Sequence, residues 1–245
     1  MLSQDNQVKA CYRRKEWQLL PTPINVRVKF QKIGDLQYIS HLDLQRTLHR
    51  ILVRAGIPMW YTKGFNPHAK IVFSTPLSVG AQSVCEMVDI RIDRDMPCEE
   101  IKRLLNLEVT DELRILDVYL PNTKFSDIVW ASYDIEIHEK GIQKLAESVR
   151  SLTSTDCIMA VKKTKSGEKE VNILPMIREF SVNKSENGEY ISIQTVLSVG
   201  SDNYLNPELV ISVLKEKFGI LSEEDSWYSI MRTATYFQDG ITVFN

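Results

Sequence analysis

The chain has 245 residues, of which 43% are hydrophobic and 25% charged, a composition that fits a folded protein and excludes disorder throughout. No run of about 20 apolar residues predicts a membrane-spanning helix, and the first residues lack the apolar core of a signal peptide. We therefore expect a cytoplasmic protein, most simply of two domains, with no membrane partner. The cysteines are widely separated and form no CxxC pair, which favours free thiols over a metal centre.

Positive charge is concentrated in one segment of the chain. The net charge is −2 overall, yet residues 27–70 contain eight Lys and Arg against only Asp35 and Asp43. The segment therefore carries +6 and the rest of the chain −8. Because the local field steers association more than the average charge does, the segment predicts an anionic partner.

The first domain is predicted over residues 23–122, after a polar arm of residues 1–22 that ends in the stiff sequence PTP. Alternating apolar and polar residues in NVRVKFQKI predict a strand with one buried face. A helix is predicted between an N-cap at Ser40 and a stop at Gly56. The patterns that follow predict extended segments in MWYT, KIVF and VCEMVDIRI, a helix in PCEEIKRLLNL, and a closing strand in LRILDVYL.

A second domain with the same element order is predicted over residues 128–245, beyond the linker PNTKFSD. Extended segments are predicted in SYDIEIH, CIMAVKKT, EYISIQTVL and SIMRTATYFQ, and helices in KGIQKLAESVRSL and PELVISVLKEKFG. The intervening SGEKEVNILPMIREFSVNKSENG predicts an inserted hairpin or loop. Because this order is that of a split βαβ unit, we predict the α+β class, with two ferredoxin-like halves whose antiparallel sheets are covered by helices.

The tetrapeptide SHLD places a serine, a histidine and an aspartate at the start of the first predicted helix. Neighbouring helical positions point in different directions, so these residues favour a helix cap, with Asp43 reaching back, over a catalytic triad. His41 is too distant from His49 or His68 in sequence to predict a metal site without an assumed third ligand. We predict no catalytic residue, no metal and no cofactor.

The same helix carries a row of arginines at every fourth position, where each guanidinium can bind a phosphate. A solvated helix face is the alternative. The loop KGFNPHAK adds cations and rings, which favours single-stranded nucleic acid, because charge follows the backbone while rings stack on bases. The predicted RNA- or anion-binding residues are Arg46, Arg50, Arg54, Lys63, Phe65, Asn66, His68 and Lys70.

The sequence GFNP predicts a tight loop that displays Phe65, because Gly64 permits a positive φ, Asn66 favours turns and Pro67 extends its neighbour. A hairpin turn with the phenylalanine packed beneath it is the alternative. We further predict that the loop folds over the N-terminal end of the helix and forms a pocket there. The pocket residues would be His41, Asp43, Tyr61, Gly64 and Glu86.

The motifs SHLD, RAGIP, GFNPH and PLSVG, followed by Glu86, occur in this order within residues 30–92. With them, residues 24–220 resemble a bacterial family of radical-SAM-associated proteins, long catalogued as a domain of unknown function. The resemblance implies a radical-SAM protein as partner, since members are commonly fused to one or encoded beside it. Lys63 departs from the family, which often has serine there. The chain contains no CxxxCxxC, so it cannot itself hold the cluster of a radical-SAM enzyme.

These patterns lead to three functional hypotheses. The first is a non-catalytic accessory protein of a radical-SAM enzyme that binds RNA or presents an anionic substrate. The second is an RNA-processing or RNA-modifying enzyme in which His41 or His68 acts as general acid or base. The third is a protein-interaction module whose basic row docks on an acidic partner. The basic cluster and the resemblance favour the first hypothesis, whereas the second lacks a catalytic constellation.

Overall fold

The computed structural model describes residues 17–164, 167–201 and 203–244, and these residues define an α+β protein, which confirms the predicted class. The chain divides into two compact units. The first comprises residues up to Val79 together with Cys85–Thr123, and the second comprises Gly80–Val84 together with the residues from Lys124 onward. The predicted arm lies outside the described residues as far as residue 16.

The described residues form ten strands and four α-helices. The strands are Leu19–Lys32 (β1), Ile71–Phe73 (β2), Ala81–Arg94 (β3), Ile115–Tyr119 (β4), Trp130–His138 (β5), Met159–Thr164 (β6), Gly167–Asn172 (β7), Ile177–Lys184 (β8), Tyr190–Ser198 (β9) and Trp227–Tyr236 (β10). The helices are His41–Arg54 (α1), Cys98–Asn106 (α2), Ala146–Arg150 (α3) and Pro207–Phe218 (α4). None of these helices is long and apolar enough to cross a membrane.

The first unit is built on β1, β2, β4 and the part of β3 that begins at Cys85. Strand β1 lies between β4 and β3, and β2 pairs antiparallel with β3. The antiparallel register of β1 and β4 sets Val28 opposite Val118. One face of this sheet and the inner faces of α1 and α2 bury a shared apolar core, whose members include Val28, Phe30, Leu48, Ile90, Ile101 and Leu105.

Helix α1 is the helix predicted between Ser40 and Gly56. Its buried residues recur at spacings of three and four and form one apolar stripe: Leu44, Leu48, Ile51 and Leu52. Gly56 follows the helix with φ +72°, the left-handed conformation in which glycine commonly ends a helix. The predicted boundaries of this helix are therefore confirmed.

Strand β1 begins at Leu19, four residues before the predicted start of the first domain. The residues just before it are also attached to the first unit. The backbone carbonyl of Gln18 accepts a hydrogen bond from the N–H of Asp95 at 2.8 Å, and Trp17 packs against the apolar core. The prolines of PTP lie early in this strand, which is where strands tolerate proline.

Arg27 is the exception to the predicted alternation of β1. It was expected on the polar face, yet its side chain is completely buried, at 0% exposure. The guanidinium donates to both carboxylate oxygens of Asp89 on β3, at 2.7 and 3.0 Å. It also donates to the side-chain and backbone oxygens of Thr123, at 2.7 and 3.0 Å. Bidentate pairing with a carboxylate stabilises the buried guanidinium, and the alternation of β1 alone does not reveal this partner.

The second unit places its strands in the order β10-β5-β9-β8, antiparallel throughout. Strand β10 also pairs in parallel with residues 81–83 of β3, which belong to this unit. Strand β5 alternates as SYDIEIH predicts, and its buried residues are Ala131, Tyr133, Ile135 and Ile137. The other face of the same strand is polar and only partly buried.

Helix α4 lies within the predicted helical segment PELVISVLKEKFG, and both of its ends are capped. Asn206 accepts a hydrogen bond from the N–H of Glu208 at 3.1 Å, Pro207 is the first helical residue, and Gly219 ends the helix with φ +64°. The hydroxyl of Tyr228 on β10 donates to Glu208 Oε2 at 2.8 Å. Burial and this hydrogen bond raise the pKa of Tyr228 to about 12. The hydroxyl therefore remains a donor at neutral pH and ties the helix to the strand.

Two elements of the second unit differ from the prediction. CIMAVKKT contributes β6, which forms a separate two-stranded sheet with β7, whereas the strand beside β9 is β8, from IREFSVNK. That segment was predicted as part of an inserted hairpin or loop. As the last strand of the order it keeps most side chains exposed, so its apolar alternation is weak. The helix predicted over residues 140–152 is short, because 3₁₀ turns at Ile142–Leu145 and Ser151–Ser154 flank α3.

Each unit sets its own strands in a comparable order. In the first the order is β4, β1, β3 and β2, and in the second it is β10, β5, β9 and β8. In the first unit, β1 thus lies between β3 and β4, the third and fourth strands of that unit. In the second unit, β5 lies between β9 and β10, which are the third and fourth strands when the separate sheet of β6 and β7 is left out. A split βαβ arrangement produces this order, although the ferredoxin-like assignment of the two halves stays a prediction.

We predict that Arg27→Gln lowers the free energy of unfolding by about 3–5 kcal/mol, because the amide leaves Asp89 as a largely buried carboxylate without its cation. Urea denaturation followed by circular dichroism measures the loss. Lys29→Gln is the matched control, since Lys29 lies on the same face of β1 and makes no salt bridge among the described residues. It should change the free energy by less than about 0.5 kcal/mol. Equal effects of the two substitutions would contradict the importance of the pair.

Candidate nucleic-acid interface

Residues 61–69, which we call the finger, leave the edge of the first unit's sheet. The chain just before the finger pairs with β3, where Met59 lies opposite Ile92, and β2 just after it also pairs with β3, where Ile71 lies opposite Ile90. Both ends of the finger are therefore held at nearby positions of one strand. The residues between them have no place in the sheet and form a projecting loop.

Hydrogen bonds close the neck of the finger. Tyr61 and Ala69 form an antiparallel bridge, and the N–H of Thr62 donates to the carbonyl of His68 at 3.0 Å. The N–H of His68 donates to Thr62 Oγ1 at 3.1 Å. The Nδ1 atom of His68 lies 3.1 Å from Thr62 Oγ1 and 3.3 Å from the carbonyl oxygen of Asn66. The neck is thus a defined turn that holds the tip in place.

The tip of the finger displays Phe65 to solvent. Gly64 has φ +141°, a conformation that side-chain-bearing residues rarely adopt, so the tip requires glycine there. Phe65 follows with a relative exposure of 111%. The prediction that the loop displays this ring is confirmed, and the alternative in which the ring packs beneath the turn is wrong.

One lysine of the finger and one just after it make no salt bridge in the described parts of the chain. Lys63 and Lys70 are exposed, and neither pairs with a carboxylate within residues 17–164, 167–201 and 203–244. Trp60, at the base, has the guanidinium of Arg91 5.2 Å from its ring centroid, so Arg91 covers one face of that ring. Phe65 therefore provides the most accessible ring for stacking, with two lysines nearby in sequence.

The arginine row of α1 is less available than the sequence suggests. Arg46 lies 3.4 Å from Asp43, and Arg54 Nε lies 3.1 Å from Glu108 Oε2. Arg54 also donates to the backbone carbonyl of Glu108 at 3.0 Å. Arg50 and Arg54 line a cleft of about 300 Å³ whose other walls are mostly apolar. Two of the three predicted phosphate ligands are thus engaged by carboxylates, and Arg50 is the member of the row best placed for an anion.

Ser40 and Asp43 form the predicted helix cap. Ser40 Oγ accepts the N–H of Asp43 at 3.1 Å and donates to Asp43 Oδ2 at 2.7 Å. The hydrogen bond from Ser40 and the charge of Arg46 lower the pKa of Asp43. The carboxylate thus bonds the cap hydroxyl rather than the backbone N–H of a capping box. The serine and aspartate of SHLD therefore cap the N-terminal end of α1.

The residues predicted to line a pocket at the N-terminal end of α1 lie in different surroundings, and the pocket stays a prediction. The ring of His41 packs edge-on against Phe73, with centroids 4.9 Å apart, and Asp43 is bonded within the cap. Glu86 is only 3% exposed, whereas Tyr61 and Gly64 are exposed in the finger.

A larger cleft lies in the second unit, where the sequence predicted no site. Its volume is about 560 Å³, and its lining comes from β5, β8, β9 and β10. The polar positions of SYDIEIH were the available signal. The alternation of SYDIEIH predicts only a strand, because the pairing of four distant segments cannot be read from one of them.

Residues 25–207 match the model of a family described as uncharacterized protein conserved in bacteria (DUF2344). The match covers well over half of the chain. The chain therefore belongs to this family. No curated protein is significantly similar to it.

Two solved structures are similar to the chain only at a low level. One is an unknown protein from Galdieria sulphuraria, with 10% identity and a TM-score of 0.25 over 86% of this chain and 99% of that one. The other is a Rhodococcus jostii RHA1 DypB variant in complex with heme, with 10% identity and a TM-score of 0.20 over 89% and 94% of the two chains. Neither likeness bears on the function proposed below.

We predict that Arg54 and Glu108 couple by no more than about 1 kcal/mol, because the guanidinium is 60% exposed and solvent screens the pair. A double-mutant cycle of Arg54→Gln and Glu108→Gln, measured by urea denaturation, gives this coupling. Arg50→Gln is the control, since Arg50 makes no salt bridge among the described residues and should leave stability unchanged. Coupling well above this limit would make the end of the row a structural element.

Proposed function

We propose that this protein is a non-catalytic RNA-binding protein that holds single-stranded RNA with its finger. The observation that carries the proposal is the full exposure of Phe65 at the tip of a hydrogen-bonded loop. Leaving a large apolar side chain in water forgoes roughly 1.5–3 kcal/mol of burial, so a fixed loop that does so favours a partner that covers the ring.

The residues around Phe65 suit the chemistry of a single strand. An unpaired base stacks on a phenyl ring, while ammonium groups lie near the phosphates on either side. Lys63 and Lys70 supply those cations, and the exposed Asn66 supplies an amide that can bond a base edge. Because every base has a stacking face, we expect broad sequence tolerance rather than strict recognition.

The distribution of charge supports RNA binding by the first unit. That unit has 17 Lys and Arg against 14 Asp and Glu, a net charge of +3, whereas the second unit has 13 against 18, a net charge of −5. Phosphate groups are attracted to the positively charged first unit and repelled by the negatively charged second unit. Arg50 adds a cation to the same unit that carries the finger.

The radical-SAM partner is part of the proposal through the family resemblance alone. In this view the protein is an accessory that presents RNA, or another anionic substrate, to the enzyme. Copurification of the full chain with its cellular radical-SAM protein, with and without ribonuclease, tests the partnership. Recovery of no radical-SAM protein under either condition would remove this part of the proposal and leave RNA binding standing.

The two other hypotheses have less support. His41 packs against Phe73, and the Nδ1 of His68 lies beside a hydroxyl and a carbonyl. Among the described residues, neither histidine therefore has the orienting acid of a typical general base. An acidic protein partner would meet a row in which Arg46 and Arg54 are already paired. Loss of turnover by about a hundredfold on changing one histidine, with RNA binding intact, would instead define an enzyme.

We predict that Phe65→Ala weakens binding of a fluorescent single-stranded oligoribonucleotide by about fivefold, the effect of losing roughly 1 kcal/mol of stacking on one base. Fluorescence anisotropy with the full chain measures the affinity. Tyr38→Ala is the control, because Tyr38 is another exposed aromatic residue of the first unit, at 66% exposure, outside the finger. Its effect should stay within about twofold.

The salt dependence of the same titration separates RNA from a protein partner. Contacts with phosphates release counterions, so the affinity should fall steeply as salt rises, and Lys63→Gln with Lys70→Gln should flatten the slope. An RNA affinity that is undetectable at low salt, or equal losses for Phe65→Ala and Tyr38→Ala, would overturn the proposal. In that case a protein partner for Phe65 becomes the better explanation.

A further inference from the structure

The open face of the second unit's sheet contains a cleft of about 560 Å³ that crosses β10, β5, β9 and β8. This volume lies within the range typical of small-molecule sites. Its side chains are mostly hydroxyls, amides and carboxylates, with no Lys, Arg or His among the lining residues. An antiparallel sheet often exposes such a face to water alone, so the case for a ligand depends on particular side chains.

Asp134 is a carboxylate of the cleft that pairs with no cation in the described parts of the chain. It lies on β5, in the middle of the cleft, with Gln194 of β9 and Met231 of β10 directly opposite in register. Its carboxylate makes no hydrogen bond or salt bridge to any side chain in the described parts of the chain, yet it is only partly exposed. A partly desolvated carboxylate without a cation is unfavourable, so the position favours a cation from outside.

Hydroxyl groups beside Asp134 are already ordered. Ser132 Oγ and Thr233 Oγ1 lie 2.7 Å apart, and the hydroxyl of Tyr236 donates to Ser132 Oγ at 3.4 Å. They hold one another within the same cleft and leave oxygen lone pairs that can accept further N–H donors. The side-chain amide of Gln194 makes no hydrogen bond among the described residues and adds an acceptor oxygen opposite the carboxylate.

We propose that this cleft binds a small organic cation whose ammonium or guanidinium group pairs with Asp134. Further N–H groups of the ligand are accepted by Gln194 and by the hydroxyls of Ser132 and Thr233. The net charge of −5 on the second unit attracts such a ligand, and Glu179 adds a second carboxylate to the lining. The inference is independent of the RNA-binding function, which rests on the first unit.

The titration of Asp134 supports a binding role over a stabilising one. Burial, and then the charge of Glu136, raise the pKa of Asp134. Because the folded-state pKa lies above the unfolded value, the folded state favours the protonated acid, and stability falls as pH rises between the two values. At neutral pH the full penalty is present, so the charged carboxylate destabilises the fold when no ligand is bound. Residues that bind ligands commonly carry such a cost.

Isothermal titration of the full chain with agmatine, at neutral pH, tests the proposal. Agmatine carries both a guanidinium and an ammonium group, and n-butylurea serves as an uncharged analogue of similar shape. We expect agmatine to bind and n-butylurea not to bind. Asp134→Asn should lower the agmatine affinity by about tenfold or more, the factor expected for losing one charge-assisted hydrogen bond. The control is Glu216→Gln, an exposed carboxylate on α4 outside the cleft, which should stay within about twofold.

Thermal unfolding of Asp134→Asn separates lost binding from lost structure. We expect its melting temperature at neutral pH to equal or exceed that of the parent protein. In the parent protein the agmatine affinity should also fall on acidification, beginning at a higher pH than an ordinary aspartate would give, because protonation removes the charge that binds the ligand. Asp134→Asn should lose that pH dependence.

Three results would overturn the proposal. They are the absence of agmatine binding at millimolar concentrations, equal losses for Asp134→Asn and Glu216→Gln, and equal affinity for agmatine and n-butylurea. The second of these would mean diffuse attraction to an acidic surface, and the third would mean a neutral ligand. None of them affects RNA binding by the finger, which is measured with a different probe and different variants.

Discussion

The bidentate pair of Arg27 and Asp89 is the interaction on which the first unit most depends. It joins β1 to β3 and reaches Thr123 just beyond β4, so one guanidinium connects three separate parts of the chain. Asp89 is adjacent to Ile90 of β3, which pairs with Ile71 of β2 just after the finger. Two positions further along β3, Ile92 pairs with Met59 just before the finger. Both ends of the finger are therefore attached to β3, the strand that the buried pair of Arg27 and Asp89 holds against β1.

Much of the fold was predictable because its signals are local. The apolar stripe of α1, the cap at Ser40, the ends of α4 and the alternation of β5 each follow from a few neighbouring residues. Strand β8 was missed because its side chains are mostly exposed, and its partner β9 is supplied from outside the segment. Arg27 shows the same limit at one residue, since the carboxylate that pairs with it, Asp89, lies 62 positions away along the chain.

The candidate site also combines features that local sequence predicts with features that depend on distant residues. The finger was predictable, because glycine, asparagine and proline specify a turn within a few residues. The arginine row was only partly understood from sequence, because Glu108, which pairs with Arg54, lies 54 positions away along the chain. The cleft around Asp134 was missed because its walls come from four strands whose order depends on the folded sheet. Local motifs thus indicated the interface, whereas the partner of Arg54 and the walls of the cleft come from distant parts of the chain.

The position of the finger also affects how the protein avoids self-association. An exposed outer strand can pair with the same strand of another molecule, and long uninterrupted edges are the most dangerous. Here the chain beside β3 is interrupted by residues 61–69, and β2 is only three residues long. A second copy therefore finds no long row of free backbone donors and acceptors on this stretch, and the projecting loop obstructs its approach. The loop that exposes an apolar ring to solvent thereby also protects the sheet from growing by strand addition.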